Sequence, residues 1–120
     1  MAGQITIILE IEVNESRLEE FKSVAKQMVE TTQANEPGVL GYNSYFSLKD
    51  ARAYISVERY ANAEALMAHG MAIMPLMMKG ISMGSITRMS VFGEVGAGMR
   101  PQLESMGATF YPVFEGFTRE

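Results

Sequence analysis

His69 is the single histidine of this 120-residue chain. From residue 65 to residue 78 it is the one polar side chain in an otherwise apolar stretch. Histidine is the side chain whose unperturbed protonation changes near neutral pH, so His69 is the most natural candidate for a general base. A lone histidine on an apolar helix can also be a structural residue bonded to a carbonyl. The sequence leaves both interpretations of His69 open.

A row of methionines surrounds this histidine. Met67, Met71, Met74 and Met78 recur at steps of four, three and four residues, which is helical spacing. Because the thioether is polarizable and the side chain repacks easily, such a row suits the wall of a pocket for an apolar ligand, and it also suits plain core filling. We predict that Met67, Met71 and Met74 contact a substrate. The segment is too short to cross a bilayer, which needs about 20 residues.

Polar side chains on the predicted strands are the next candidates for substrate binding. They are Tyr42, Asn43 and Arg59. Tyr42 and Asn43 are neighbours in a strand, so they point to opposite faces of the sheet and only one of them can line a given cavity. The sequence does not show which face that is.

Arg88 is the remaining candidate, and it lies deep in the last predicted strand. An arginine there either pairs with Glu10 or Glu12 of the first strand or holds an anionic substrate. We favour the pair, and keep Arg88 among the predicted substrate-binding residues.

Composition excludes several classes of function. The net charge is −4, and the 10 basic residues are scattered singly, which gives no stripe for a phosphate backbone. We therefore expect no nucleic acid partner. With no cysteine and one histidine, the chain cannot assemble a closed zinc site, and no metal is expected. The N-terminus shows no charged region followed by an apolar block, so we expect the protein to stay in the cytoplasm.

The elements that position these residues follow from periodicity. Alternation from Ile5 to Val13 predicts a strand, and Asn14 offers a cap for the first helix. That helix ends at the sequence Glu-Pro-Gly of residues 36–38. The remaining elements are two hairpin strands at 39–47 and 53–60, a second helix capped by Asn62, and a last strand at 85–95. The order strand, helix, strand, strand, helix, strand predicts an α+β domain with a four-stranded antiparallel sheet and helices on one face.

The chain continues beyond that domain. We divide it into a domain at residues 1–95 and a C-terminal extension at residues 96–120, in which Pro101 and Gly107 bracket a short helix. Phe110, Tyr111, Phe114 and Phe117 make the tail too apolar for a free end. We expect it to dock on its own domain or on a dimer partner.

The motifs resemble a known family. Glu36-Pro37-Gly38 precedes a strand, residues 55–60 (ISVERY) precede residues 62–66 (NAEAL), and Ala68-His69 follows. In this order and spacing they resemble the antibiotic biosynthesis monooxygenase domain of the dimeric α+β barrel superfamily, over about residues 4–95. The resemblance implies a ferredoxin-like fold, a homodimer, and a ligand pocket between the sheet and its own helices.

The same resemblance implies a function. Members of the family include cofactor-independent monooxygenases of quinols or polyphenols, and His69 matches a histidine that several members place beside the pocket. The implied function is monooxygenation of a small aromatic molecule without a cofactor, with His69 as the base. Two alternatives stay open: a dimeric ligand-binding or stress-related protein without catalysis, whose interior would be filled, and an isomerase or lyase acting on a small cyclic substrate.

Overall fold

The computed structural model describes residues 3–119 of the chain. Nine elements follow one another in order. They are β1 (Ile5–Val13), a 3-10 turn (Glu15–Arg17), α1 (Leu18–Asn35), β2 (Val39–Phe46), β3 (Ala53–Tyr60), α2 (Ala63–Ile81), β4 (Gly84–Phe92), α3 (Arg100–Ser105) and β5 (Ala108–Tyr111).

The sheet has five strands in the order β2-β3-β1-β4-β5. The first four pair antiparallel, which confirms the predicted ferredoxin-like α+β fold. The fifth strand was not predicted, and it pairs parallel with β4. Tyr111 stacks on Phe92 with ring centroids 5.2 Å apart. The first part of the predicted tail therefore docks on the sheet of its own domain.

The two faces of the sheet differ in composition. In β1, Ile5, Ile7, Leu9, Ile11 and Val13 are all buried beneath the helices. In β3, however, the helix side carries the more polar set, and the opposite side carries the aliphatic residues. The buried set is Tyr54, Ser56, Glu58 and Tyr60. The aliphatic side, with Ile55 and Val57, stays half-buried in a single chain. The open face of the sheet is therefore apolar at its centre.

The helices begin in different ways. At α2, the side chain of Asn62 accepts a hydrogen bond from the Ala65 backbone N–H at 2.8 Å, which confirms the predicted cap. The predicted cap at Asn14 is wrong, since its side chain makes no capping bond and the chain first forms the 3-10 turn. Pro75 lies inside α2, and the helix continues through it to Ile81. Across residues 3–119, no helix is both long and apolar enough to span a membrane.

Candidate active site

A cavity of about 530 Å³ lies between α2, α3 and the helix side of the sheet. Pockets for small molecules usually measure about 300–1,000 Å³, so this one has room for a ring system. Ile7, Leu9 and Met89 form its floor, α2 forms one wall, and Met99, Leu103 and Met106 close the other side. A protein without catalysis was expected to have a filled interior. His69 instead borders an open cavity.

Methionine dominates the cavity wall. Of the eleven methionines of the chain, nine line the cavity. They are Met28, Met67, Met71, Met74, Met77, Met78, Met89, Met99 and Met106. Those on the outer side of α2 form the rim, where Met71 is 75% exposed. Because thioether side chains adapt their shape, this wall suits a ligand that is apolar and bulky.

His69 lies at the polar end of the cavity and is 5% exposed. Its Nδ1 lies 2.9 Å from Oε1 of Glu36, the residue at which α1 ends. Pro37 follows and prevents the helix from continuing. Gly38 then passes so close to the start of α2 that a Cβ added to it would lie 2.8 Å from the Cβ of Ala65. This close approach brings the end of α1 to the first turns of α2, and so brings Glu36 to His69.

The contact with Glu36 orients the imidazole. Because a carboxylate oxygen accepts, Nδ1 carries the hydrogen and donates it, and in the neutral imidazole this leaves Nε2 with its lone pair. The rings of Tyr42 and Tyr60 flank His69, with centroids 5.6 Å and 5.5 Å from the imidazole. The other oxygen of Glu36, Oε2, is buried and has no hydrogen-bond partner among residues 3–119. His69 is thus held in one orientation by a carboxylate and two aromatic rings.

A second carboxylate, Glu58, lines the cavity itself, whereas Glu36 is not part of its described wall. Glu58 is 7% exposed and accepts two short hydrogen bonds, from the Tyr60 hydroxyl at 2.5 Å and from the Ser56 hydroxyl at 2.6 Å. Tyr60 is fully buried. No lysine or arginine belongs to the part of the cavity wall that the structure describes. The polar end is therefore built from His69, the Glu58 carboxylate and the hydroxyls of Tyr42 and Tyr60, and it favours a neutral ligand that donates hydrogen bonds over an anion.

The tyrosines of the cavity keep their protons. Burial raises the pKa of Tyr60 far above its usual value, and the neighbouring Glu58 carboxylate raises it further. Burial likewise raises the pKa of Tyr42, again with a contribution from Glu58. Both side chains are therefore protonated hydroxyl donors at neutral pH.

The predicted site residues fall into two groups. Tyr42, His69, Met67, Met71 and Met74 all line the cavity. Asn43 and Arg59 lie outside its wall, and alternation places both on the open face of the sheet.

Arg88 is exposed on that open face and stands directly opposite Glu10 in the register of β1 and β4. Glu12, the other predicted partner, pairs with Arg52 at 3.4 Å instead. Substrate binding by Asn43, Arg59 and Arg88 stays a prediction, and the cavity does not depend on it.

Sequence reasoning missed Glu36, Glu58 and Tyr60 as parts of the site. A signal for two of them exists in β3, where Tyr54, Ser56, Glu58 and Tyr60 occur at every second position and so share one face. For Glu36 no local signal exists, because its partner lies 33 residues away. Among residues 3–119, no group of three histidine, aspartate or glutamate side chains is placed to hold a metal ion.

Comparison with protein families gives one match. The model of the family described as "Antibiotic biosynthesis monooxygenase" matches residues 4–71, which is more than half of the chain. A search among curated proteins gives no match.

Solved structures with the same fold include MupZ from Pseudomonas fluorescens. It is 28% identical to this chain, with a TM-score of 0.84, and the match covers 98% of this chain and 95% of MupZ. A variant of SnoaB, a cofactor-independent oxygenase from Streptomyces nogalater, is 14% identical with a TM-score of 0.67, over 80% of this chain and 97% of SnoaB. A conserved protein from Methanosarcina mazei is 17% identical with a TM-score of 0.65, over 73% of this chain and 87% of its own. The last two show the fold alone.

Proposed function

Because the chain belongs to the antibiotic biosynthesis monooxygenase family, we propose that it is a cofactor-independent monooxygenase acting on a small aromatic quinol or polyphenol. The observation that carries this proposal is the single oriented histidine at the polar end of an apolar cavity of about 530 Å³. SnoaB, which shares the fold, is a cofactor-independent oxygenase.

The first step assigns a role to His69. With Nδ1 donating to Glu36 at 2.9 Å, Nε2 is the nitrogen that accepts the phenolic proton of a bound substrate. Glu36 then stabilises the imidazolium that forms, because its carboxylate is already in hydrogen-bond contact. Glu36 acts through His69 and is a positioning residue.

The second step needs little from the protein. The phenolate is rich in electrons and reacts with O₂ directly, and one oxygen atom enters the product while the other leaves as water. The substrate supplies all four electrons and the two hydrogens of the water, so a quinol leaves as a hydroxyquinone and no reductant is required. Tyr42 stays protonated and donates to the phenolate oxygen, while the methionine wall excludes water from the anion.

Oxygen uptake with a panel of quinols and polyphenols tests this function. We expect uptake with at least one apolar substrate, and a fall of about 10²–10⁴-fold in turnover for His69→Ala. The matched control is Lys79→Gln, an exposed change on the same helix outside the cavity wall. Unchanged turnover in the His69 variant would overturn the role of His69, and no uptake with any substrate would overturn the oxygenase.

One observation favours a second candidate function. The cavity wall holds one carboxylate, Glu58, and one histidine, His69, which is backed by Glu36. This acid–base set can move a proton on a small cyclic substrate without oxygen, as an isomerase or lyase does. The two functions differ in their need for O₂. Product formation that persists under strict anaerobic conditions would favour the isomerase or lyase.

We also propose that two copies pair through the open face of the sheet. The aliphatic side of β3, with Ile55 and Val57, is only half-buried in one chain, although the polar side is fully buried. A partner sheet would remove this apolar surface from water. Sedimentation of the purified protein tests the pairing, and a monomer at all concentrations would contradict it.

A further inference from the structure

Residues after β5 present apolar side chains that are mostly exposed. Beyond Pro112, the side chains of Val113, Phe114 and Phe117 are 78%, 96% and 80% exposed. Leaving two phenylalanines in water is unfavourable relative to burying them. A covering surface is therefore expected for residues 113–117, which we call the aromatic tail.

A surface of matching chemistry lies at the opposite edge of the sheet. There α1 and the edge strand β2 enclose an open groove of about 470 Å³. Its floor and walls include Phe46, Tyr54, Val29 and Ala25, and Tyr42 closes the end that adjoins the cavity of His69. The groove thus offers aromatic and aliphatic contacts to a phenylalanine side chain.

Basic side chains distinguish the described wall of this groove from that of the cavity, which has no lysine or arginine. Lys22 and Lys26 lie along its rim with Glu30 as the one acidic member of the described wall. The ammonium of Lys22 lies 5.4 Å from the centre of the Phe46 ring. The aromatic tail carries Glu115 between its two phenylalanines. A tail seated in the groove would place this carboxylate beside the two lysines.

The tail does not occupy the groove of its own chain. Strands β5 and β2 are the two edges of the five-stranded sheet, four strand spacings apart, which is about 19 Å at roughly 4.8 Å per spacing. Phe114 follows Tyr111, the last residue of β5, by three residues, and this allows a reach of about 10 Å, too short for the groove. No residue of the tail belongs to the described wall of the groove, and both phenylalanines are exposed. The occupant that we consider is therefore the tail of another molecule.

We infer that the aromatic tail of one chain docks in the groove between α1 and β2 of a second copy, an inference that rests on the pairing of two copies and not on the proposed reaction. Each copy donates a tail and accepts one, as a two-fold pair requires. Since Tyr42 borders both the groove and the cavity, the partner's tail covers the ring that flanks His69. Pairing therefore completes the wall of the cavity.

Cross-linking tests the docking directly, because the chain has no cysteine of its own. Glu115→Cys is combined with Lys26→Cys and treated with a short bismaleimide. We expect a covalent dimer. It should form efficiently only when the sample contains both Glu115→Cys and Lys26→Cys, and not with either substitution alone. A dimer by sedimentation that gives no cross-link, or a cross-link within one chain, would overturn the docking while leaving the pairing intact. A monomer would overturn both.

Charge reversal provides an independent test. Lys26→Glu should raise the dissociation constant of the dimer about twofold to fivefold, and adding Glu115→Lys should restore it. Lys49→Glu, the same change outside the groove, should leave it unchanged. Phe114→Ala should raise the constant about tenfold, since a buried aromatic anchor is lost. Equal effects of Lys26→Glu and Lys49→Glu, or no restoration in the double variant, would count against the docking.

Discussion

α1 and α2 have nearly the same length, with 18 and 19 residues, and they pack against the same face of one sheet. They differ in how closely they pack against that face and in the chemistry of their outer sides. α1 inserts Phe21 into the core, where it meets Tyr54 at 4.8 Å and Phe46 at 6.4 Å between ring centroids, and its outer side is charged. α2 leaves a cavity of about 530 Å³ beneath it, and its outer side carries methionine.

The two helices therefore have different roles, since α1 packs the core and α2 forms a wall of the cavity. Close packing around Phe21 fills the space between α1 and the sheet, and the groove with β2 lies only at the outer edge of α1. Beside Gly70 in α2, by contrast, no atom lies within 4 Å of an added Cβ. The cavity lowers the stability of the fold, because the side chains that line it lack the dispersion contacts of a filled core. We therefore expect substitutions under α1 to change stability and substitutions under α2 to change binding.

The largest effect is expected at Phe21. Phe21→Ala should lower the free energy of unfolding by about 3–5 kcal/mol, because it removes a side chain that is 3% exposed and makes two aromatic contacts. Met71→Ala, a change of an exposed residue on α2, should stay within about 0.5 kcal/mol. Urea denaturation measures both. A similar loss of unfolding free energy in the two variants would contradict the different roles of α1 and α2.

Alkaline pH should weaken the region under α2 through its tyrosines. The pKa values of Tyr42 and Tyr60 are raised above the ordinary value of 10.0 mainly by burial. The unfolded chain therefore loses these protons first, so their contribution to stability is complete below about pH 10 and falls above it, by about 1.4 kcal/mol per pH unit for each tyrosine. Denaturation at several pH values tests this. Tyr42→Phe and Tyr60→Phe should each reduce the slope above pH 10, and an unchanged slope would refute the assignment.

Filling the cavity should separate binding from stability. Gly70→Leu places a side chain in open space on α2, so ligand affinity should fall by about 1–3 kcal/mol while the helix gains up to about 1 kcal/mol. Gly80→Ala is the matched change, since its Cβ meets Val24 and Phe21 at ordinary distances of 3.8 and 3.9 Å. Calorimetric titration with an apolar aromatic ligand should show unchanged affinity for Gly80→Ala. Loss of ligand affinity in Gly80→Ala would show that the packing of α2 against α1 also affects the cavity.

The smallest effect concerns the helix starts. Asn62→Ala removes a side-chain cap of α2 and should cost about 1 kcal/mol. Asn14→Ala, before α1, should cost less than about 0.5 kcal/mol, because that side chain makes no capping bond. Thermal denaturation of the two variants side by side measures the contrast. Equal shifts would mean that the two helix starts contribute alike.

Much of the fold was predictable because its signals are local. Alternation in β1 and the cap at Asn62 depend on residues close in sequence, and both led to correct elements. The parallel strand β5 was missed because Ala108–Tyr111 is short and its partner β4 is recognised only in three dimensions. The cap at Asn14 failed because a 3-10 turn intervenes before α1.

The candidate site was predictable only in part. The row of Met67, Met71 and Met74 could be found from spacing, since helical period fixes which side chains share a side. The contact of His69 with Glu36 joins the end of one helix to the middle of another, which no periodicity reports. When a strand is covered on one side, its apolar face is usually the buried one. In β3 the face with Glu58 is buried, and the face with Ile55 is only half-buried.

The methionine wall has a consequence for the lifetime of the protein. Nine sulfur atoms surround a cavity in which, under the proposed reaction, oxygen meets an electron-rich anion. A reduced oxygen species that escapes coupling would convert a thioether into a sulfoxide, which is polar and chiral, and each conversion would make the wall wetter. Activity should therefore decline with the number of turnovers rather than with time. Peptide mass spectrometry should then find added oxygen on Met67 to Met78 before it appears on Met83, which is buried elsewhere in the core.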